Sequence, residues 1–191
     1  MVRTLFPLIG AVALAAACDR PDPEVNRTAD VTGEVVADQM VHVQLTPTSG
    51  QTTAGRLSFS DTTDGVKVTG RISGLPVDRE IGFHVHEVGD CSAPDASSAG
   101  DHFNPGLQPH GDPDGDEHHA GDMPNLDVDE EGVAEVDVTL EGLRLDWPPA
   151  NLNVRNRAVV VHAQADDYET QPAGASGDRV ACGVIGAEDR P

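Results

Sequence analysis

Aromatic residues are scarce: one Trp, one Tyr and four Phe make up 3% of the 191 residues. A core built on stacked rings is therefore excluded, and the interior must come from Val, Leu, Ile and Ala. Lysine is nearly missing, with Lys67 the single example among 12 basic residues. Against these stand 33 acidic residues, for a formal net charge of −21. A surface of that sign repels phosphate polymers and anionic membrane faces, so nucleic-acid binding is discarded. Cysteine is limited to Cys18, Cys91 and Cys182. No internal repeat and no low-complexity tract interrupts the chain.

Residues 1–17 do not belong to the fold. Arg3 supplies a positive start, and Leu5 to Ala17 is an apolar stretch too short to cross a bilayer comfortably. It ends in Ala15-Ala16-Ala17 directly before Cys18. This reads as an export signal, and Cys18 is expected to be lipidated and to become the mature N-terminus. Simple cleavage after Ala17 is the alternative. Residues 18–39 carry Pro21, Pro23 and scattered charge, and are expected to form a flexible tether between membrane and domain. The expected location is the periplasm or cell envelope. There the chain meets an oxidising compartment, where cysteine pairs tend to bridge and a free Cys18 thiol would be exposed.

From Val41 the pattern changes to period two. Val41, Val43 and Leu45 alternate with polar residues; Leu57 and Phe59, then Val66, Val68 and Ile72, continue the pattern. Ile81 to Val88 reads as the fourth strand. After an irregular stretch from Gly89 to Pro124, strands resume at Leu126–Val128, Val133–Leu140, Ala158–Ala163 and Cys182–Ile185. Trp147-Pro148-Pro149 is a turn, and Asp166 to Asp178 a second long loop. Short alternating strands between Gly, Pro and Asp turns predict an all-β, antiparallel sandwich or flattened barrel of about eight strands over residues 40–187, with a tail at 188–191. Structureless loops of this length are usually functional in a compact domain.

The chemistry concentrates in those loops and beside them. Residues i and i+2 of a strand share a face, so His84 and His86 in Gly82-Phe83-His84-Val85-His86 project together. Two such imidazoles are half of a copper or zinc site, although a lone pair is more often half-buried structure. Four further motifs follow in order. They are Gly100-Asp101-His102-Phe103-Asn104-Pro105, His110 with His119 and Asp122, Val160-Val161-His162, and Gly177 to Gly186 containing Arg179 and Cys182. Together these motifs, with matching strands between them, resemble the copper/zinc superoxide dismutase family over about residues 40–186.

The resemblance implies a Greek-key, immunoglobulin-like sandwich with two long loops forming a metal site. It implies copper held by His84, His86, His102 and His162, and zinc held by His102, His110, His119 and Asp122. His102 is then a shared imidazolate, protonated on its copper side when copper is reduced. Asp166 is implied to hydrogen-bond His84 and His110, and Arg179 to hold a small anion near copper. The competing reading of Arg179, from its neighbours alone, is a surface ion pair with Asp178 or Glu188. Cys91 and Cys182 are implied to form a disulfide tying the loop to the last strand. Four nitrogens suit tetragonal copper(II), and three nitrogens with one carboxylate suit tetrahedral zinc. The implied activity is dismutation of superoxide, catalysed through Arg179 and His102. A copper-binding or copper-delivery protein on the same fold is the alternative. Family members occur as monomers and homodimers, so self-association is compatible with the sequence. His42 is expected to be structural and His118 solvated.

Overall fold

A computed structural model describes residues 40–145 and 150–187. The expected export signal, Cys18, the tether, the 147–149 turn and the 188–191 tail lie outside the described residues. Nine strands are described: β1 Met40–Pro47, β2 Ala54–Asp61, β3 Gly65–Ser73, β4 Arg79–Ile81, β5 Phe83–His86, β6 Leu126–Val128, β7 Val133–Glu141, β8 Ala158–His162 and β9 Arg179–Val184. Seven form one sheet in the order β5-β8-β9-β1-β2-β3-β7, and β4 pairs with β6. Every pairing is antiparallel. Among the described residues only two short 3₁₀ turns interrupt this all-β fold.

The meander β1-β2-β3 follows from the alternation. Val41, Val43 and Leu45 are buried against Leu57, Phe59, Val66, Val68 and Ile72, while their neighbours face outward. Each such side chain removed from water stabilises the fold by about 1.5–3 kcal/mol. β1 also turns a corner. Met40–Leu45 pair with β2, whereas Thr46 and Pro47 pair with Cys182 and Ala181 of β9. That switch carries the sheet from the meander to the strands bearing the histidines.

One expected strand is two. The stretch read as a single strand from Ile81 to Val88 breaks at Gly82 and ends at His86. The Gly82 N–H donates to Gln164 O and its carbonyl accepts from His162 N–H, so both backbone groups leave the β4–β6 ladder. A Cβ on residue 82 would lie 3.0 Å from Ser176 Cβ, so glycine permits that approach. Beyond His86, the N–H groups of Glu87 and Val88 donate to Asp101 and Ala99, in the loop that follows.

Candidate metal centre

β5 and β8 are buried on both faces. Phe83, Val85, Val159 and Val161 enter the main core. On the other face, Ala158 and Val160 pack with Ala96, Ala99 and Cys182 in a second small cluster beneath the disulfide loop. That face also carries His84 and His86, because alternate residues share it. His84 lies opposite Val160, and His86 opposite Ala158. Between β8 and β9 the register slips: Val161 faces Ala181, but His162 faces Arg179. One step on β8 thus spans two on β9, a bulge that sets Arg179 beside His162.

The loop from Gly89 to Pro124 brings the other ligating groups back onto β5. Phe103 N–H donates to Val85 O at 2.8 Å, Val85 N–H to Gly121 O at 2.9 Å, and Gly121 N–H to Phe103 O at 2.9 Å. These bonds seat His102 beside His86 and Asp122 beside His84. Gly121 is required, since a Cβ there would stand 2.2 Å from Val85 O. The result is two groups of four: His84, His86, His102 and His162, and His102, His110, His119 and Asp122. Within each group one candidate ligand atom per residue lies within 4.8 Å of the others. All seven residues are buried.

Hydrogen bonds assign which nitrogens are bare. The His86 Nδ1–H donates to Gly100 O at 2.9 Å, since a carbonyl only accepts. His86 Nε2 therefore carries no proton, and it lies 3.4 Å from His162 Nε2. His84 Nε2–H donates to Asp166 Oδ2 at 2.7 Å, and His110 Nε2–H to Asp166 Oδ1 at 2.9 Å. His102 Nδ1 meets Asp122 Oδ1 at 2.7 Å. The remaining atoms, His84 Nδ1, His102 Nε2, His110 Nδ1 and His119 Nδ1, are buried without a hydrogen-bond partner. Buried polar atoms in native proteins are otherwise satisfied. His110 Nδ1 lies 2.9 Å from Asp122 Oδ2, yet out of line for a hydrogen bond. Buried nitrogens converging without hydrogen-bond partners fit metal ions, and the residues present suit copper and zinc.

The two groups differ in electrostatics. Burial lowers the His86 pKa to about 2, and His102 adds to the effect. Burial likewise pulls His84 to about 4 against the opposing Asp166 hydrogen bond, and drives His162 well below its usual value. At His110 burial also pulls down, but the carboxylates of Asp122 and Asp166 outweigh it and raise the pKa to about 9. Burial pushes Asp122 and Asp166 up, and their histidine hydrogen bonds outweigh it and hold both below the usual carboxylate range.

Asp166 is itself clamped. The Asn125 side chain donates to Asp166 O at 2.9 Å and accepts from Asp166 N–H at 2.8 Å. Gly174, at φ +61°, passes over the carboxylate, where a Cβ would be 1.7 Å from Asp166 Oδ1. Arg179 donates through Nη1 to Ala96 O and through Nη2 to Gly100 O, each at 2.7 Å. Those carbonyls, rather than Asp178, are its hydrogen-bond partners, and Glu188 lies outside the described residues. Gly100 O thus serves both Arg179 and His86. Cys91 and Cys182 form a disulfide with Cα atoms 5.8 Å apart, joining that loop to β9.

Sequence reasoning did not find the Gly100 carbonyl's part, nor Asn125, Gly174 or Ser176, whose Oγ lies 3.1 Å from His162 Nδ1. Small and amide residues in loops carry no periodic signal. His42 bonds Ser58 Oγ through Nδ1 at 3.1 Å on the meander. His118 is half-buried, and its Nδ1–H donates to His119 O at 2.7 Å, a fixed position where a solvated ring was expected.

Residues 53–185 match the family model described as copper/zinc superoxide dismutase (SODC). The chain is 39% identical over 152 residues to "Superoxide dismutase [Cu-Zn] 2" of Aquifex aeolicus, covering 78% of this chain and 87% of that protein. It is 36% identical to "Superoxide dismutase-like protein YojM" of Bacillus subtilis over 148 residues, covering 75% and 74%. A crystal structure of a SOD-like protein from Bacillus subtilis superposes with TM-score 0.67 at 36% identity, covering 75% of this chain and 96% of that one.

Proposed function

Because this chain belongs to the copper/zinc superoxide dismutase family, we propose that it converts two superoxide anions and two protons to dioxygen and hydrogen peroxide. Its cofactors are copper and zinc. In this reading His84, His86, His102 and His162 hold copper, and His102, His110, His119 and Asp122 hold zinc. The observation that carries it is the shared ring. His102 belongs to both groups, has Nδ1 on Asp122, and leaves Nε2 buried without a partner. Two metals on one imidazole require both of its nitrogens, one for each.

Copper held by His84, His86, His102 and His162 would supply a one-electron redox couple, and zinc held by His102, His110, His119 and Asp122 would fix those residues in place. The protein does the rest. Arg179, fixed by Ala96 O and Gly100 O, offers the remaining N–H groups of its fork to the substrate anion. Its permanent charge acts on His86, whose pKa it helps burial to lower. His102 Nε2 is the atom at which the chain holds a proton for the peroxide product; the second proton comes from solvent. Asp166 keeps the proton-bearing nitrogens of His84 and His110 turned away from the metals.

Protein reconstituted with copper and zinc is expected to consume superoxide far faster than buffer, and Arg179→Ala to slow it. Binding of both metals without dismutation would assign the chain to copper binding or delivery on the same fold. Export and lipidation at Cys18 belong to the same proposal, supported by the apolar stretch before that residue. Cys18→Ser should move the protein from the membrane to the soluble fraction with dismutation intact.

A further inference from the structure

His162 sits at the end of β8, and its backbone N–H is held by Gly82 O at 2.9 Å. The direction of its ring is a separate matter. Nδ1 has two neighbours, Ser176 Oγ at 3.1 Å and Gly177 O at 3.4 Å. The second is long for a hydrogen bond to nitrogen. Ser176 is 2% exposed, so water does not compete for its hydroxyl.

A hydroxyl carries one proton. The Ser176 hydroxyl also lies 2.9 Å from Ala173 O, which can only accept. The serine proton therefore goes to Ala173, and the oxygen lone pair is left facing His162 Nδ1. That nitrogen must then be the protonated one, and Nε2 the bare one. Opposite it stands His86 Nε2 at 3.4 Å, also bare. Two unprotonated nitrogens at this distance are mutually repulsive without a cation between them.

We propose that Ser176 is a positioning residue: its hydroxyl, oriented by Ala173 O, locks His162 in the Nδ1–H tautomer and aims a bare Nε2 at copper. The proposal rests on His162 holding copper. The Asp166 loop delivers Ser176, so one loop orients ligands of both groups: His84 and His110 through Asp166, and His162 through Ser176.

The test begins with metal-free protein carrying ¹⁵N-labelled histidine. Nitrogen shifts should show His162 as a single Nδ1–H tautomer in the wild type and as a mixture in Ser176→Ala, with Ser176→Thr restoring the wild-type pattern. Copper affinity, measured by chelator competition, should fall about tenfold in Ser176→Ala, the low end for losing an outer hydrogen-bond partner. Backbone amide spectra report whether each variant keeps the fold. A wild-type His162 protonated at Nε2 overturns the proposal directly, without any variant. A folded Ser176→Ala protein with wild-type tautomer and affinity overturns it as well. His162→Ala separates the two layers. Copper affinity unchanged in that variant refutes His162 as a ligand, whereas a loss there with none in Ser176→Ala refutes only the role of Ser176.

Discussion

The two halves of the metal centre are built in different ways. Three of the four residues proposed to hold copper, His84, His86 and His162, stand on β5 and β8, strands buried on both faces and paired residue by residue. All four proposed to hold zinc, His102, His110, His119 and Asp122, stand on one loop held by scattered backbone bonds. The first group has no carboxylate among its four members, and burial lowers the pKa of His84, His86 and His162. The other group is organised on Asp122, whose carboxylate together with that of Asp166 raises the His110 pKa to about 9. A strand positions ligands by sheet geometry; a loop needs charge to draw its ligands together. The copper side should therefore persist without metal, and the zinc side should depend on its ion.

The hardest test of that contrast is Asp122→Ala. It removes a candidate ligand that touches His102, His110 and His119, and leaves buried imidazoles without their shared partner. Zinc affinity should fall by more than the roughly 10–100-fold typical of outer partners, while the apo-protein amide spectrum of β5 and β8 stays native. Loss of those strand signals would show that the copper side also relies on the loop.

Asp166→Ala should produce the next largest effect, and it strikes both halves. Copper and zinc affinities should each fall about 10–100-fold, because His84 and His110 lose the acceptor that fixes their tautomers. A fall at one metal only, read by titrating each separately, would break the symmetry assigned to Asp166.

Protonation gives a milder readout with a definite sign. His110 is raised to about 9, so at pH 7.5 zinc should displace about one proton from it, about half as many at pH 9, and few well above that. His84 lies near 4 and His86 near 2, so copper should displace none from them at pH 7.5. Calorimetry in two buffers of different ionisation enthalpy measures both. The same shifts shape apo-protein stability. The raised His110 contribution is complete below pH 6.5 and is lost as pH rises through about 9. The depressed His84 contribution is present above pH 6.5 and is lost as pH falls towards 4. Stability should therefore peak between these limits, and a monotonic profile would contradict the opposed environments.

The smallest expected effect is on salt dependence. The net charge of −21 would repel the proposed anionic substrate, while bound metals and Arg179 would attract it locally. The screening length falls from about 30 Å at 0.01 M salt to about 8 Å at 0.15 M. Added salt hides the distant acidic surface first, so kcat/KM should stay flat or rise across that range, and Arg179→Ala should lower it at both ends. A steep fall would reveal a basic funnel at the site.

How much of this was legible in the chain depends on the range of the interaction. The meander strands and the shared face of His84 and His86 follow from period-two alternation, which is local. His102, His110, His119 and Asp122 were placed by family resemblance alone, because no periodicity runs through their loop. The break at Gly82, the β8–β9 bulge, and the parts played by Gly121, Gly174, Asn125 and Ser176 were not legible. Each is decided by a contact between segments far apart in sequence. Residue types and alternation thus determined an all-β chain with a metal-binding inventory, since side-chain chemistry and strand period are properties of neighbours. Only the tertiary structure decided which nitrogen of His84, His86 and His162 is bare, because the acceptor that holds the other nitrogen arrives from another part of the chain.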